Sequence, residues 1–342
     1  MKSKLSIITN ESIYQNGNEN FCDNLDIKSI PEGLNKSFEV NLIGRFSKKK
    51  RYHGIENINT FSSKNIFSFI GKIISINKED TNTKNMIVSI NPFTFVASVA
   101  LFMIKKKPIV YLRSDGFGEY KAILGKIGPL IYYFMFSITC SISNLISCRD
   151  YILRGKKGKI INPSQLDSSW LRQPKSIEVK NFKLLYVGRL KIEKGIFSLL
   201  NLIKNKKDIS LTVVGSEKRE VSNYANQSNV KILQTQASKL KLIKHYDDHN
   251  IFVLPSYTEG HPMVVLEALA RRRPVIVFED IQHIVGNKKG IFVSKRNFIN
   301  FFGTLNSIKK NYKKIQKDMK KNKLPTNKEF IDKFVKYIDD FN

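Results

Sequence analysis

Cysteine is scarce. Cys22, Cys140 and Cys148 are the only three in 342 residues. They are odd in number and lack metal-type spacing, which excludes a disulfide framework and suggests reduced thiols in a reducing compartment. Long apolar runs are also missing. The first residues, MKSKLSIITNESIYQ, hold only a short apolar stretch and no signal-peptide core or cleavage site. Only the stretch around Ile127–Ile146 is long enough to raise a membrane span, and Pro129, Asn144 and several Ser and Thr interrupt it. It reads as a helix followed by a buried strand. Acidic residues are few, 29 against 58 Lys plus Arg, for a formal net charge of +29. Such a field favours polyanions such as nucleic acid, nucleotide phosphates or an anionic membrane surface. Compositional drift toward lysine is the bland alternative. The basic residues lack interleaved aromatics and any nucleic-acid module, so no nucleic-acid partner is expected. A P-loop is absent, because Gly155-Lys-Lys-Gly-Lys159 lacks the spacing and the Ser/Thr. Gly116-Phe-Gly118 does not complete GxGxxG. No long repeat or low-complexity linker appears.

What is present is a strand–helix alternation along the whole chain, with length enough for two cored domains. That alternation implies an α/β fold with open, mostly parallel sheets. Strands are expected at Leu5–Thr9, Phe38–Ile43, Met86–Ile90, Pro108–Leu112, Ser143–Ser147 and from Lys159. Asn10–Asn20 reads as a polar segment around Gly17, and Arg45–Arg51 as a basic surface loop. Arg113 and Asp115, in a polar Gly-containing turn after a strand, are candidates for a cleft wall. A local Arg–Asp pair with Asp115 capping a helix is the structural alternative. Tyr120–Ile138 is apolar around most of its surface and is read as core rather than membrane-facing.

The second half is organised around Ile251–Val277. An apolar strand, Ile251–Leu254, leads into the loop Pro255–Gly260 and then a helix beginning near Pro262 and Met263. Pro274 ends that helix, and Val275–Val277 reads as the next strand. Ligands bind such βαβ units at the carboxyl end of the strand. The helix start offers amides and the positive end of a dipole to an anion. Glu259 lies in the loop and Glu267 about two turns into the helix, so one carboxylate sits beside the anion pocket and one just below its rim.

Glu259 and Glu267 are separated by seven residues, and Val187-Gly-Arg-Leu-Lys-Ile-Glu-Lys-Gly195 precedes them. Together these resemble the E-x7-E and VGRL-x3-KG segments of the retaining GT-B glycosyltransferases of the GT4 family. The resemblance covers the C-terminal half well and the N-terminal half loosely. It implies two Rossmann-like doubly wound domains facing a cleft. Residues 1–165 would bind the acceptor, 166–181 form a hinge and 182–323 bind a nucleotide sugar. A helix at 324–342 would return to the first domain.

The resemblance also implies roles. Arg189, Lys194 and Glu259 are the catalytic candidates. The guanidinium forks onto phosphate oxygens, the ammonium adds a point charge and the carboxylate accepts from sugar hydroxyls. Donor-binding candidates are Gly188, Gly215, Leu233 and Gln234 near the base, with Gly260, His261 and Met263 at the helix start and Glu267 on the ribose. Gly17 stands where the family carries a glycine-rich loop, although here it is single. Neither metal nor cofactor is expected beyond the nucleoside-diphosphate sugar. His245-Tyr-Asp-Asp-His249 reads as ordinary loop residues rather than a metal cluster. The function expected is retaining transfer of a hexose-type sugar onto a surface-polysaccharide or lipid-linked glycan acceptor, of capsule, O-antigen or lipopolysaccharide type. Its place would be the cytoplasm, peripherally on the inner face of an anionic membrane. The rival readings are a catalytically inactive GT-B scaffold, a polyanion-binding protein and a GT-B sugar-nucleotide epimerase.

Overall fold

The computed structural model describes residues 2–174, 177, 179–216, 227–234, 236 and 238–341. The chain divides into two compact units. One comprises residues 1–163 and 327–342, and the other residues 164–326.

The first unit opens with β1 (Lys4–Asn16) and β2 (Glu19–Cys22). Next come α1 (Leu25–Leu34), β3 (Glu39–Ser47), β4 (His53–Ile55), β5 (Asn59–Ser63) and α2 (Ile66–Glu79). The segment continues through β6 (Lys84–Val88), α3 (Pro92–Met103), β7 (Ile109–Leu112), α4 (Gly116–Leu124) and α5 (Gly128–Ser141). It ends with β8 (Asn144–Ser147) and β9 (Lys159–Ile160). Strands β5-β3-β1-β6-β7-β8-β9 run parallel in that order. The order reverses between β1 and β6, so the crevice that such sheets offer a ligand lies at their carboxyl ends. The central strands are buried on both faces, which is why Met86–Val88 and Ile109–Leu112 are unbroken apolar runs. Cys22, Cys140 and Cys148 are free and buried, and burial pushes the Cys22 and Cys140 thiols up to about 12.

Three sequence readings change here. Asn10–Asn20 is strand, not loop: β1 continues to Asn16, turns and pairs antiparallel with β2. Gly17 occupies the turn with φ +58°, a conformation open to glycine, and a side chain there would meet nothing. Arg45–Ser47 belongs to β3 rather than to a basic loop. Tyr120–Ile138 is not one core helix; a turn at Gly125–Ile127 separates α4 from α5, and one face of α5 is exposed.

The second unit begins with α6 (Ser168–Leu171), capped by Asp167, with Trp170 buried. This lies inside the stretch expected as hinge; residues 175, 176 and 178 of that stretch are outside the described residues. Then come β10 (Phe182–Val187), α7 (Ile196–Leu202), β11 (Ile209–Ser216), β12 (Val230–Gln234) and α8 (Lys239–Asp248). β13 (Ile251–Leu254), α9 (Met263–Ala270), β14 (Val275–Phe278), β15 (Ile291–Ser294) and α10 (Phe298–Met319) complete it. Its described strands form a parallel sheet in the order β12-β11-β10-β13-β14-β15. Period-2 alternation sorts the core. Leu184 and Tyr186 face α7 and α10, while Leu185 faces α9 and Trp170. On α10, Phe301, Leu305, Ile308 and Tyr312 bury one stripe, and the lysines from Lys309 onward lie in solvent.

The last helix, α11 (Asn327–Asp339), packs into the first unit. Phe334 is fully buried, its ring 4.9 Å from that of Tyr111 in an edge-on arrangement. Lys84 and Lys159 hold its end through Asp339 and Asp340. Phe334→Ala is expected to destabilise this unit by about 3–5 kcal/mol, read by chemical denaturation.

Candidate active site

In the second unit the strand order reverses between β10 and β13. Sheets of this kind bind ligands at that place. Two loops leave it: Gly188–Gly195 after β10, and Pro255–Pro262 after β13.

The first loop is fixed by glycines. Gly188 has φ +156° and Gly215 φ +119°. A Cβ on Gly215 would lie 2.7 Å from the Gly188 carbonyl, so the ends of β10 and β11 approach backbone to backbone. Tyr186 donates its hydroxyl to the Arg189 carbonyl at 2.8 Å and anchors the turn. The Arg189 side chain is exposed and forms no ion pair with a described carboxylate. Residues Ile192–Lys194 make one tight helical turn, and Gly195 leaves it with φ +64°.

The second loop is held against the first. The Tyr257 amide donates to the Glu193 carbonyl at 3.0 Å. Lys194 Nζ lies 2.8 Å from Glu259 Oε1, and the Ser256 hydroxyl donates to the same oxygen at 2.6 Å. His283 donates from Nε2 to the Glu259 carbonyl at 2.8 Å. Arg296 braces the arrangement, donating to the Pro255 carbonyl at 2.9 Å and to Ser198 Oγ at 2.7 Å while lying over the Tyr257 ring. Arg296, Ser256 and His283 were not marked by sequence; all three lie outside both motifs, Ser256 within the loop itself, while Arg296 and His283 reach the loop only through folding.

Helix α9 then begins. Pro262 sits at the N-cap position rather than in the first turn, and no side chain caps the helix. The amides of Met263 and Val264, which have no partner within the helix, are thereby left to an external acceptor. Gly260 and His261 complete the approach, both half-buried.

Glu267 is placed differently from expectation. It lies in the buried face of α9, 7% exposed, and its Oε2 accepts from the Tyr246 hydroxyl at 2.8 Å. Burial pushes its carboxyl up to about 7, and the Tyr246 hydrogen bond only partly opposes this. Leu233 and Gln234 end β12; the Gln234 carbonyl accepts from the Gln236 side chain. The neighbouring residues 235 and 237 are outside the described residues.

His245–His249 is taken up structurally. His249 donates from Nδ1 to the His245 carbonyl at 2.6 Å, and its Nε2 meets Thr212 Oγ1 at 2.7 Å. Asp247 forks onto the buried Arg271 and also meets Arg273.

In the first unit, Arg113 and Asp115 do not pair with each other. Arg113 reaches Asp26 on α1 at 3.4 Å, while Asp115 caps α4 and meets Arg154. Gly17 is a hairpin tip. At the β1/β6 switch point stand Asn10, bonded to Arg45, and Ser89 with φ +63°. A left-handed serine costs about 1–3 kcal/mol and marks a backbone held by its surroundings. Here Ser89 donates its amide to the Tyr111 carbonyl, and its own carbonyl accepts from Thr94.

Two expected outcomes follow from this geometry. Gly195→Ala would put a Cβ 1.8 Å from the Pro255 carbonyl in a left-handed conformation. It is expected to separate the two loops, read as loss of nucleotide-induced thermal stabilisation. Glu267, charged when unfolded above about 4.5 and protonated when folded up to about 7, binds more protons in the native state between those values. Its contribution to stability is therefore intact below that window and falls by about 3 kcal/mol as pH rises through it. Glu267→Gln should flatten the difference between melting curves at the two ends of the window.

Residues 168–324 match the model of the family described as Glycosyl transferases group 1. The capsular polysaccharide biosynthesis glycosyltransferase CapM of Staphylococcus aureus is 34% identical over 132 residues, 34% of each chain. The chain thus spans about a third of that curated relative's length. Among solved structures, the sucrose-phosphate synthase of Thermosynechococcus elongatus superposes with a TM-score of 0.72 at 14% identity, over 99% of both chains. Anabaena Alr3699/HepE in complex with UDP gives 0.68 at 12% identity, over 98% of this chain and 100% of that one. The two parallel-sheet units have the GT-B glycosyltransferase fold, and the second unit carries the match to the glycosyl transferases of group 1.

Proposed function

We propose that this protein is a retaining, metal-independent glycosyltransferase, moving a sugar from a nucleoside diphosphate to a surface-polysaccharide or lipid-linked glycan. The Lys194–Glu259 pair carries the reading. It stands at the β10/β13 switch point, inside the family-matched region, beside an uncapped helix start. Nucleoside diphosphates pair a strong anion with sugar hydroxyls, and the place offers cations, amides and a carboxylate together.

In this reading the anomeric C–O bond breaks and negative charge grows on the leaving diphosphate. Arg189, unpaired with any described carboxylate, forks onto its oxygens. Lys194 has three donors and uses one on Glu259, leaving two for phosphate. The Met263 and Val264 amides and the α9 dipole add fixed positive potential. Glu259, held by Lys194, Ser256 and the His283 contact to its backbone, accepts from sugar hydroxyls through its remaining lone pairs. The acceptor hydroxyl attacks from the face the diphosphate leaves, so configuration is retained. Its proton passes to a leaving phosphate oxygen, so no separate base is needed. Glu267 accepts from a ribose hydroxyl in place of some of its lost solvation, which favours its ionised form.

CapM is a glycosyltransferase of capsular polysaccharide biosynthesis, and HepE forms a complex with UDP. Together they support a glycan-building context and UDP as the first donor nucleotide to test. Lys194→Ala and Glu259→Gln are each expected to cut turnover of the accepted sugar nucleotide by about 10²–10³, measured with a radiolabelled donor panel. Undiminished turnover in both would rule out this site.

A further inference from the structure

Helix α5 is apolar on opposite faces. Tyr132, Met135, Phe136 and Cys140 are buried in the first unit. Ile127, Leu130, Ile131 and Phe134, spaced as one helical stripe, are exposed instead. The stripe continues through the turn at Gly125–Ile127 into Ile123 and Leu124 of α4. Ile123 is 74% exposed, Ile127 66% and Leu130 70%. The two helices are locked together: the Phe117 and Tyr132 rings lie 4.8 Å apart, and a Cβ on Gly128 would strike the Tyr120 carbonyl. These side chains therefore form one patch. Contiguous exposed apolar surface of this kind marks an interaction site.

Charge identifies the partner. Lys121 and Lys126 are exposed within the patch. Lys105 and Lys107 are exposed just past α3, which packs along α5 through Phe95–Phe134 and Ser98–Thr139. Between Leu101 and Ser141 the acids are Asp115 and Glu119, and Asp115 is engaged by Arg154. Tyr133, also exposed, offers an apolar ring with a polar tip, the amphipathic shape favoured at membrane interfaces. Among the described residues no helix is long and apolar enough to cross a membrane.

We propose that this face lies on a bilayer rich in anionic phospholipid. The aliphatic side chains enter the headgroup–acyl boundary and the lysines meet lipid phosphates. The placement suits a lipid-linked acceptor. Helix α4 has the candidate acceptor residue Asp115 at its N-cap and ends in the patch at Leu124, about 13 Å away along its axis. An acceptor anchored by its lipid would need little reach. The inference rests on the proposed glycosyltransferase function for this purpose, though not for its test.

The test is flotation of the full chain with vesicles of phosphatidylcholine alone or with about one-third phosphatidylglycerol. Binding to the anionic vesicles only is expected. Ile123→Ser/Ile127→Ser/Leu130→Ser should weaken it about ten-fold or more. Lys121→Gln/Lys126→Gln should weaken it on the order of ten-fold and reduce its salt dependence. Melting temperatures should be unchanged, since all five side chains are exposed. Failure of the wild type to float, or full binding by the serine triple variant, overturns the proposal. So does a wild-type dimer that the triple variant converts to monomer, because the face would then belong to a second copy. Nucleotide binding without vesicles, measured in parallel, reports on the catalytic reading separately.

Discussion

The Gly195 Cα and the Pro255 carbonyl approach so closely that no side chain fits between them. The loop after β10 and the loop after β13 are consequently one object. Gly195 makes the approach possible by taking a left-handed conformation, and Arg296 fixes it by holding the Pro255 and Ser256 carbonyls. The Lys194–Glu259 contact is a result of this closure more than a cause of it. A partly buried ion pair contributes little net stability once desolvation is counted. Its value lies in where it leaves an ammonium and a carboxylate: fixed side by side, within reach of an uncapped helix.

Charge is distributed unevenly around that point. The chain as a whole is strongly cationic. Within the second unit, Arg271 and Arg273 are spent on Asp247 and on backbone carbonyls, and serve to tie α8 and α6 to the end of α9. Arg296 is spent on the loops and on Asp280. Arg189 is the guanidinium at the switch point without an ion pair to a described carboxylate. Glu267, by contrast, is a carboxylate kept out of water, held near its titration point by burial and steadied by Tyr246. A group so placed responds to any new hydrogen-bond donor, as a neutral or fully solvated one would not.

Much of the second unit was legible in sequence. Ile251–Leu254 was read with the boundaries the structure gives and Val275–Val277 to within one residue, because strands buried on both faces are short unbroken apolar runs. The site loops were legible through their motif residues. The braces were not: Arg296 is some forty residues from Pro255, and nothing local in its neighbourhood announces a contact that only the sheet order creates. Glu267 was read as lying near the rim because helical spacing gives height along the axis but not rotation toward Tyr246. The first unit was harder. Its opening hairpin looked polar, since β2 and the end of β1 pair outside the core, and α1 and α2 carried no motif. The outward face of α4 and α5 was read as core because apolar composition alone does not say whether a surface is covered.

A crystal structure of the chain with a nucleoside diphosphate bears most directly on the central claim. Electron density for the diphosphate within about 3 Å of the Arg189 guanidinium, the Lys194 ammonium and the Met263 and Val264 amides is the expected result. A nucleotide bound elsewhere, with those groups untouched, would contradict it.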